Sequence, residues 1–420
     1  MSERTRVVLA GAIGNVVEWY DFGLYGLLAP VLAGLFFPFE DRLAALLGAY
    51  GGFAVGFAMR PLGAVVLGRI GDRRGRKFVL VLSVILMGAA TVGLGLLPTY
   101  AAIGIGAPVL LIAVRMFQGF SVGGEFVGSV TYLVETAPEE RRGLAGSVAN
   151  LGATVGMLLA AGAAALAEMK AGEMWRVPFL FGGVLAMAAF VLRRHLPEEP
   201  EDAERNEGSR RDAGTLRERW PAWRAVVEAP KTMGLALVFT CGYGISNYLT
   251  MVFLPGFGHE FAHLSESAAL KANTAAQGLA LAVVPLAGWL SDRWIGRRWV
   301  LALAFFGQAG LAWALFRGIL RLGDPGLWTA QLALAGLLAA VMGTAPAMLS
   351  EQFPRAYRVS AHALALNIGI GIAGGTAPMV AVALIRGTGS EMAPAAYLAV
   401  SCAAAGVAAS LLKGGEGAAR

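Results

Sequence analysis

Gly68-Arg69-Ile70-Gly71-Asp72-Arg73-Arg74-Gly75-Arg76-Lys77 is a short, strongly basic run held between two long apolar stretches. It recurs as Gly288-Trp289-Leu290-Ser291-Asp292-Arg293-Trp294-Ile295-Gly296-Arg297-Arg298. A second pair travels with it: Glu135-x-x-Pro138-x-x-x-Arg142 returns as Glu351-x-x-Pro354-x-x-x-Arg358. Asp72 precedes Glu135 by 63 residues and Asp292 precedes Glu351 by 59, so the two halves of the chain share one layout. A charged hinge duplicated in register between apolar segments points to a membrane protein made of two repeated bundles.

Each residue type in the hinge has a physical role. Gly68 allows close approach to a neighbouring helix and Gly75 allows a tight turn. Asp72 suits either capping the N-terminus of the following helix or pairing with an arginine of its own loop. Arg73 and Arg76 reach toward headgroups. In the second copy Asp292 and Arg293 hold the matching places, and one extra residue, Trp294 or Ile295, alters the turn. Glu135 falls where loop arginines reach it, and Arg142, Glu351 and Arg358 complete the set. Such a cluster locks one arrangement of the halves and breaks in another, as a gate must. A topogenic charge cluster with no gating role is the plainer alternative.

Of the 420 residues, 57% are hydrophobic and only 15% charged, where a soluble domain carries about 25% charged residues. A spanning helix needs about 20 mostly apolar residues. Twelve such stretches occur, near 10–37, 43–68, 78–98, 104–134, 144–167, 175–194, 232–256, 268–290, 299–320, 327–350, 359–385 and 393–412. The expected fold is an all-α membrane protein of twelve transmembrane helices in two pseudo-symmetric six-helix bundles. The bundles are assigned to 1–195 and 231–420, with 196–230 as a polar cytoplasmic linker. Pro30, Pro61, Pro285, Pro346 and Pro378 are expected to kink helices rather than end them.

With twelve spans the termini share a side. Most of the 34 Lys and Arg residues fall on that side, against seven in the opposite loops. This asymmetry predicts cytoplasmic termini. It also accounts for the net charge of +6 through anionic lipid, with no nucleic acid partner. Glu18 and Asp21 inside the first apolar stretch argue against a cleaved leader. Both cysteines, Cys241 and Cys402, lie in apolar stretches, so neither a disulfide framework nor a thiol metal site is expected. No metal or cofactor set and no nucleophile–base set stands out, and an enzyme is not expected.

Ionisable residues inside spans are functional candidates by default. Asn15, Glu18, Asp21 and Tyr25 recur at three- and four-residue spacing, one polar stripe on one face of the first span. Two carboxylates a turn apart in low dielectric tend to share a proton, which suits proton coupling. A structural ion pair with Arg60 or Arg115 is the alternative. Arg115 stays charged when buried and must face a cavity or an acid, either a substrate carboxylate or Glu18 and Asp21. Glu125, ten residues on, turns toward a different neighbour. Arg60 is the other buried cation, and its packing role is as reasonable as substrate contact. In the second half Tyr243, Asn247 and Tyr248 cluster ahead of Pro255, Asn273 and Gln277 share a face, and His362 and Asn367 follow. All could line the far wall of a cavity, although hydrogen bonding between helices explains any one of them equally well. His362 could titrate near neutral pH, and with a loop close by a solvated role is at least as reasonable.

Several blocks narrow the reading. They are Gly14-Asn15-Val16-Val17-Glu18-Trp19-Tyr20-Asp21-Phe22-Gly23-Leu24-Tyr25-Gly26, Arg60-Pro61-Leu62-Gly63 and Gln118-Gly119-Phe120-Ser121-Val122-Gly123-Gly124-Glu125. Trp175-Arg176-Val177-Pro178-Phe179-Leu180 and Gly374-Gly375-Thr376-Ala377-Pro378 complete the set. With the duplicated hinge, the chain resembles the major facilitator superfamily, and in these blocks its metabolite:proton symporter branch. The resemblance implies alternating access and proton-driven symport of a small carboxylate-bearing metabolite, an organic acid or a zwitterion such as proline or betaine. It also implies the bacterial inner membrane, a lipid bilayer and a small-molecule substrate as partners, and a monomer as the working unit. By the same resemblance Glu18, Asp21, Arg60, Arg115, Gln118 and Glu125 become cavity and coupling residues. A proton-coupled exporter of drugs or metabolites is the alternative. A tricarboxylate would recruit several cations, and only Arg60 and Arg115 are expected to be buried, whereas a zwitterion wants an anion and aromatic faces for its ammonium, which Glu18, Asp21, Trp19, Tyr25, Tyr243 and Tyr248 could offer.

Overall fold

The computed structural model describes residues 3–74, 76–122, 130, 133–135, 137–168, 174–194, 221–354 and 357–413. Among the described residues every regular element is a helix. Ten helices are long and apolar enough to cross a membrane: Arg42–Ala64, Phe78–Leu96, Glu139–Ala167, Arg176–Arg194, Pro230–Ala262, Glu266–Arg293, Arg297–Leu322, Asp324–Glu351, Arg358–Thr388 and Ala393–Leu411. The bent pair Ile13–Leu27 and Ala29–Phe36 makes an eleventh, and the shorter apolar helix Gly106–Ser121 takes the place of the fourth span. The order matches the twelve apolar stretches, and spans are counted in that order below. The helix Pro221–Glu228 leads into the seventh span, while 195–220, the body of the expected linker, lies outside the described residues.

The prolines behave in two ways. Pro285 and Pro346 sit inside continuous helices, as expected. Pro30 does more than kink: the first span breaks at Leu28 and bends by 61°. Proline has no N–H and clashes with the carbonyl four residues back, so the helix restarts with Pro30 in its first turn. Pro61 likewise follows a break at Met59, with a new helix Arg60–Arg74. That helix carries the first hinge motif through Arg74, so the motif is mostly a helix end rather than a loop.

Within the first bundle the third span packs on the sixth and the fourth, and the second on the fourth. Within the second, the ninth packs on the tenth and the twelfth, and the seventh on the eleventh and twelfth. The bundles meet along the fifth span against the eighth and tenth, the second against the eleventh, and the first against the middle of the seventh. The seventh and eleventh spans both carry π-helical turns, at Leu249–Phe253 and Asn367–Gly374. Such turns are costly in a helix and often sit at functional places.

Candidate functional site

The first span is buried on all sides at its centre, with Glu18 4% and Asp21 0% exposed. The two carboxylates do not share a proton site. Each has its own arginine, because a buried charge is stable only with an opposite charge at hand. Glu18 Oε1 accepts from Arg60 Nη2 at 2.6 Å. Asp21 Oδ2 lies 3.7 Å from Arg115 Nη1. Asp21 Oδ1 accepts from Gln118 Nε2 at 2.6 Å and from Thr91 Oγ1 at 2.7 Å. Gln118 in turn accepts from Arg115 Nη1 at 2.8 Å, closing a ring of three spans around Asp21. Asp21 Oδ2 is buried and has no hydrogen bond.

Arg115 is fully buried, and its guanidinium carbon lies 4.3 Å from the centre of Tyr25 and 4.8 Å from that of Phe22. The rings take the cation's face where no acceptor exists. Gly56 and Gly119 make this possible: a Cβ on Gly119 would fall into the Gly56 carbonyl, so only glycine lets the second and fourth spans close beneath the guanidinium. Tyr25 hydroxyl donates to the Ala49 carbonyl at 2.9 Å, so this residue supports the pocket rather than offering a free hydroxyl. Thr91, which the sequence reading missed, is the one polar ligand contributed by the third span. A lone threonine in an apolar run gives no periodic signal.

Arg60 lies over Phe22 and Phe57, at 5.6 and 5.5 Å. Phe57 and Phe53 meet Tyr248 of the other bundle edge to face, at 5.1 and 5.4 Å, and Trp19 stacks on the same ring at 6.5 Å. The Tyr248 hydroxyl is buried without a partner. These rings therefore close the centre of the molecule between the bundles. Asn15 and Asn247 are buried there as well, on the first and seventh spans. Tyr243 is set apart: with Asn150, Pro346 and His362 it lines a cavity of about 10 Å³, room for about one water. His362, for which a solvated role is one of two readings, is 0% exposed. Asn150 also crosses between bundles, donating to the Met342 carbonyl at 2.5 Å. Glu125 lies outside the described residues.

The second hinge motif lies at one face, here called the motif face. Gly75 and the side chains of Gly68, Asp72, Arg73 and Arg76 lie outside the described residues. The second copy is clear. Asp292 accepts from the backbone N–H of Gly143 at 2.8 Å and of Leu144 at 2.9 Å, so it caps the fifth span from the opposite bundle. It also pairs with Arg297 at 2.8 Å, which pairs with Glu351 at 2.7 Å. Asp292 thus makes an ion pair in its own loop, and the helix it caps is not the one that follows it but the fifth span of the other bundle. Arg293 instead lies over Trp289, 5.5 Å away, and takes no part in that network. The extra residue is absorbed in a turn that exposes Trp294 and Ile295 and ends on Gly296 at φ 64°, where glycine is needed. The two Glu-x-x-Pro-x-x-x-Arg loops exchange partners: Glu135 pairs with Arg358 at 2.7 Å, and Glu351 with Arg142 at 3.9 Å. At the opposite face Arg42 joins Glu260, with Nε 3.0 Å from Oε2, and Arg386 joins Asp41 at 2.8 Å. The bundles are thus tied at both faces around a closed centre.

The family model of the Major Facilitator Superfamily matches residues 11–378. The chain belongs to the Major Facilitator Superfamily. It is 34% identical to the proline/betaine transporter of Salmonella typhimurium, over 94% of this chain and 80% of that one. It is equally similar, over the same shares, to the glycine betaine/proline/ectoine/pipecolic acid transporter OusA of Dickeya dadantii. To the ectoine/proline transporter ProP of Corynebacterium glutamicum it is 33% identical, over 97% and 83%. Among solved structures, a D-xylose-proton symporter superposes with a TM-score of 0.75 at 18% identity, covering 98% of this chain and 96% of that one. The xylose transporter XylE of Escherichia coli, partially occluded and inward open, gives 0.74 at 19%, over 99% of each. The resemblance to the metabolite:proton symporter branch and the two-bundle fold are borne out. The chain is a multi-pass membrane protein and a secondary transporter of small solutes.

Proposed function

We propose that this transporter couples proton entry to uptake of a small zwitterion of the proline or betaine kind. One observation carries the proton assignment: Asp21 Oδ2 is buried, without a hydrogen bond, and 3.7 Å from a guanidinium that has few other acceptors. A proton at Oδ2 neutralises Asp21 while Oδ1 keeps its bonds to Thr91 and Gln118. Arg115 then loses its counter-charge and the packing of the first and fourth spans changes. The zwitterion reading rests on the aromatic centre and on the names of the relatives. Among the described residues of the centre, Arg60 and Arg115 are both taken up by acids of their own bundle, which argues against a tricarboxylate. Trp19, Phe53, Phe57 and Tyr248 present ring faces to an ammonium, an attraction of about 0.5–2 kcal/mol each.

In this reading the bundles 1–195 and 231–420 rock about the closed centre, the linker 196–230 joins them, and a single chain is the working unit. The motif face is the cytoplasmic face of a bacterial inner membrane, and its charged network is the inner gate. The test is uptake of radiolabelled proline and glycine betaine into proteoliposomes with an imposed inward proton gradient. Wild type accumulates at least one of them, and Asp21→Asn does not, while it still exchanges internal for external solute without a gradient. Accumulation that persists in Asp21→Asn removes the proton from Asp21.

A further inference from the structure

The second bundle holds a buried polar cluster that none of the ion pairs uses. Gln331 on the tenth span donates through Nε2 to Asn273 Oδ1 at 2.8 Å and to the Thr250 carbonyl at 2.9 Å. Asn273 and Gln277 lie one turn apart on the same face of the eighth span. All four side chains are at most 1% exposed. Since Asn273 Oδ1 is occupied, its amide nitrogen is the end left over. Asn273 Nδ2, Gln277 Nε2, Gln331 Oε1 and Thr250 Oγ1 have no partner. Folded proteins pair nearly all such groups, so two bare amide donors side by side mark a place for an acceptor that comes from outside.

The cluster is joined to the aromatic centre. Thr250 stands two residues beyond Tyr248, in the π-helical turn Leu249–Phe253. One short segment therefore turns the Tyr248 ring toward Trp19, Phe53 and Phe57, and the Thr250 carbonyl toward Gln331. We propose that Asn273 and Gln277 receive the carboxylate of the substrate, while its cationic end lies against the Trp19–Phe53–Phe57–Tyr248 rings. This rests on the zwitterion reading and adds which end goes where. Neutral amides suit the task. A guanidinium would need a counter-charge whenever the site is empty, as Arg60 and Arg115 show, whereas an empty amide site leaves no uncompensated charge. Gln331 orients Asn273, and so sets which end of its amide faces the ligand.

The experiment compares binding of glycine betaine and of choline, which has the same trimethylammonium group and no carboxylate, to the purified full-length protein by calorimetry. Wild type binds glycine betaine the more tightly. In Gln277→Leu and in Asn273→Leu glycine betaine weakens about tenfold or more and choline does not, since a hydrogen bond to a charged group is lost for one ligand only. Gln277→Glu, nearly isosteric, abolishes glycine betaine binding and spares choline. Equal weakening of both ligands, or unchanged glycine betaine binding in a variant that keeps its melting temperature, overturns the assignment. Wild-type protein that binds choline and glycine betaine equally also overturns it and leaves the aromatic reading standing. Binding of neither overturns the zwitterion reading itself and this assignment with it.

Discussion

The two faces of the molecule close it by different means. At the motif face the Asp292 side chain, 2% exposed, holds two backbone N–H groups across the bundle boundary and is backed within its own bundle by Arg297 at 6%, while the crossing pair Arg358–Glu135 is more open at 19% and 38%. At the opposite face Arg386 and Asp41 are 51% and 45% exposed, and Arg42 is 45% exposed against 13% for Glu260. Water competes for the second set and hardly for Asp292. Exposed pairs contribute about 0–1 kcal/mol, while each hydrogen bond to the buried carboxylate contributes about 1.5–3 kcal/mol. The structure is therefore held shut chiefly from the motif side, and the opposite face needs little to open.

Asp292→Ala gives the largest expected effect. It strips the cap from Gly143 and Leu144, two hydrogen bonds to a carboxylate across the bundle boundary, so the motif face opens by about 1.5–3 kcal/mol for each bond relative to wild type. Spin labels at Glu140→Cys and Trp294→Cys, with Cys241 and Cys402 replaced by serine, read this as a shift to longer distances. An unchanged distance distribution would place the lock elsewhere. Glu351→Gln comes next. It keeps one acceptor for Arg297 and weakens the 3.9 Å contact to Arg142, so about 1–3 kcal/mol is expected from the same labels. Smallest are Glu260→Gln and Arg386→Ala, each within about 1 kcal/mol. Raising salt to about 1 M, where screening acts within about 3 Å, should reproduce their effect at the opposite face and leave the motif face closed. Equal salt sensitivity at both faces would erase the contrast.

Much of this was legible in the amino-acid order. Apolar run lengths gave the spans, and the duplicated hinge gave the two bundles. The polar stripe Asn15, Glu18, Asp21 and Tyr25 marked the right helix. What spacing could not supply was partnership. Glu18 and Asp21 looked like a proton-sharing pair, and they separate because Arg60 and Arg115 approach from different spans. The exchange of Glu135 with Arg358 and of Glu351 with Arg142 joins residues more than 200 apart, which no local pattern announces. Thr91 is a single polar residue in an apolar run, Asn150 stands between Ser147 and Thr154 at helical spacing, and only the packed structure shows what they hold. His362 is fully buried, so closeness to a loop in sequence says little about its depth.

The cap that Asp292 places on the fifth span has a consequence for how the cycle is timed. A helix normally finishes its own first turn, and here that task is lent to another bundle. Each separation of the motif face leaves the amides of Gly143 and Leu144 open to solvent, so their deuterium uptake becomes an unlabelled clock for opening. It runs fast when the face is parted and nearly stops when Asp292 is back in place.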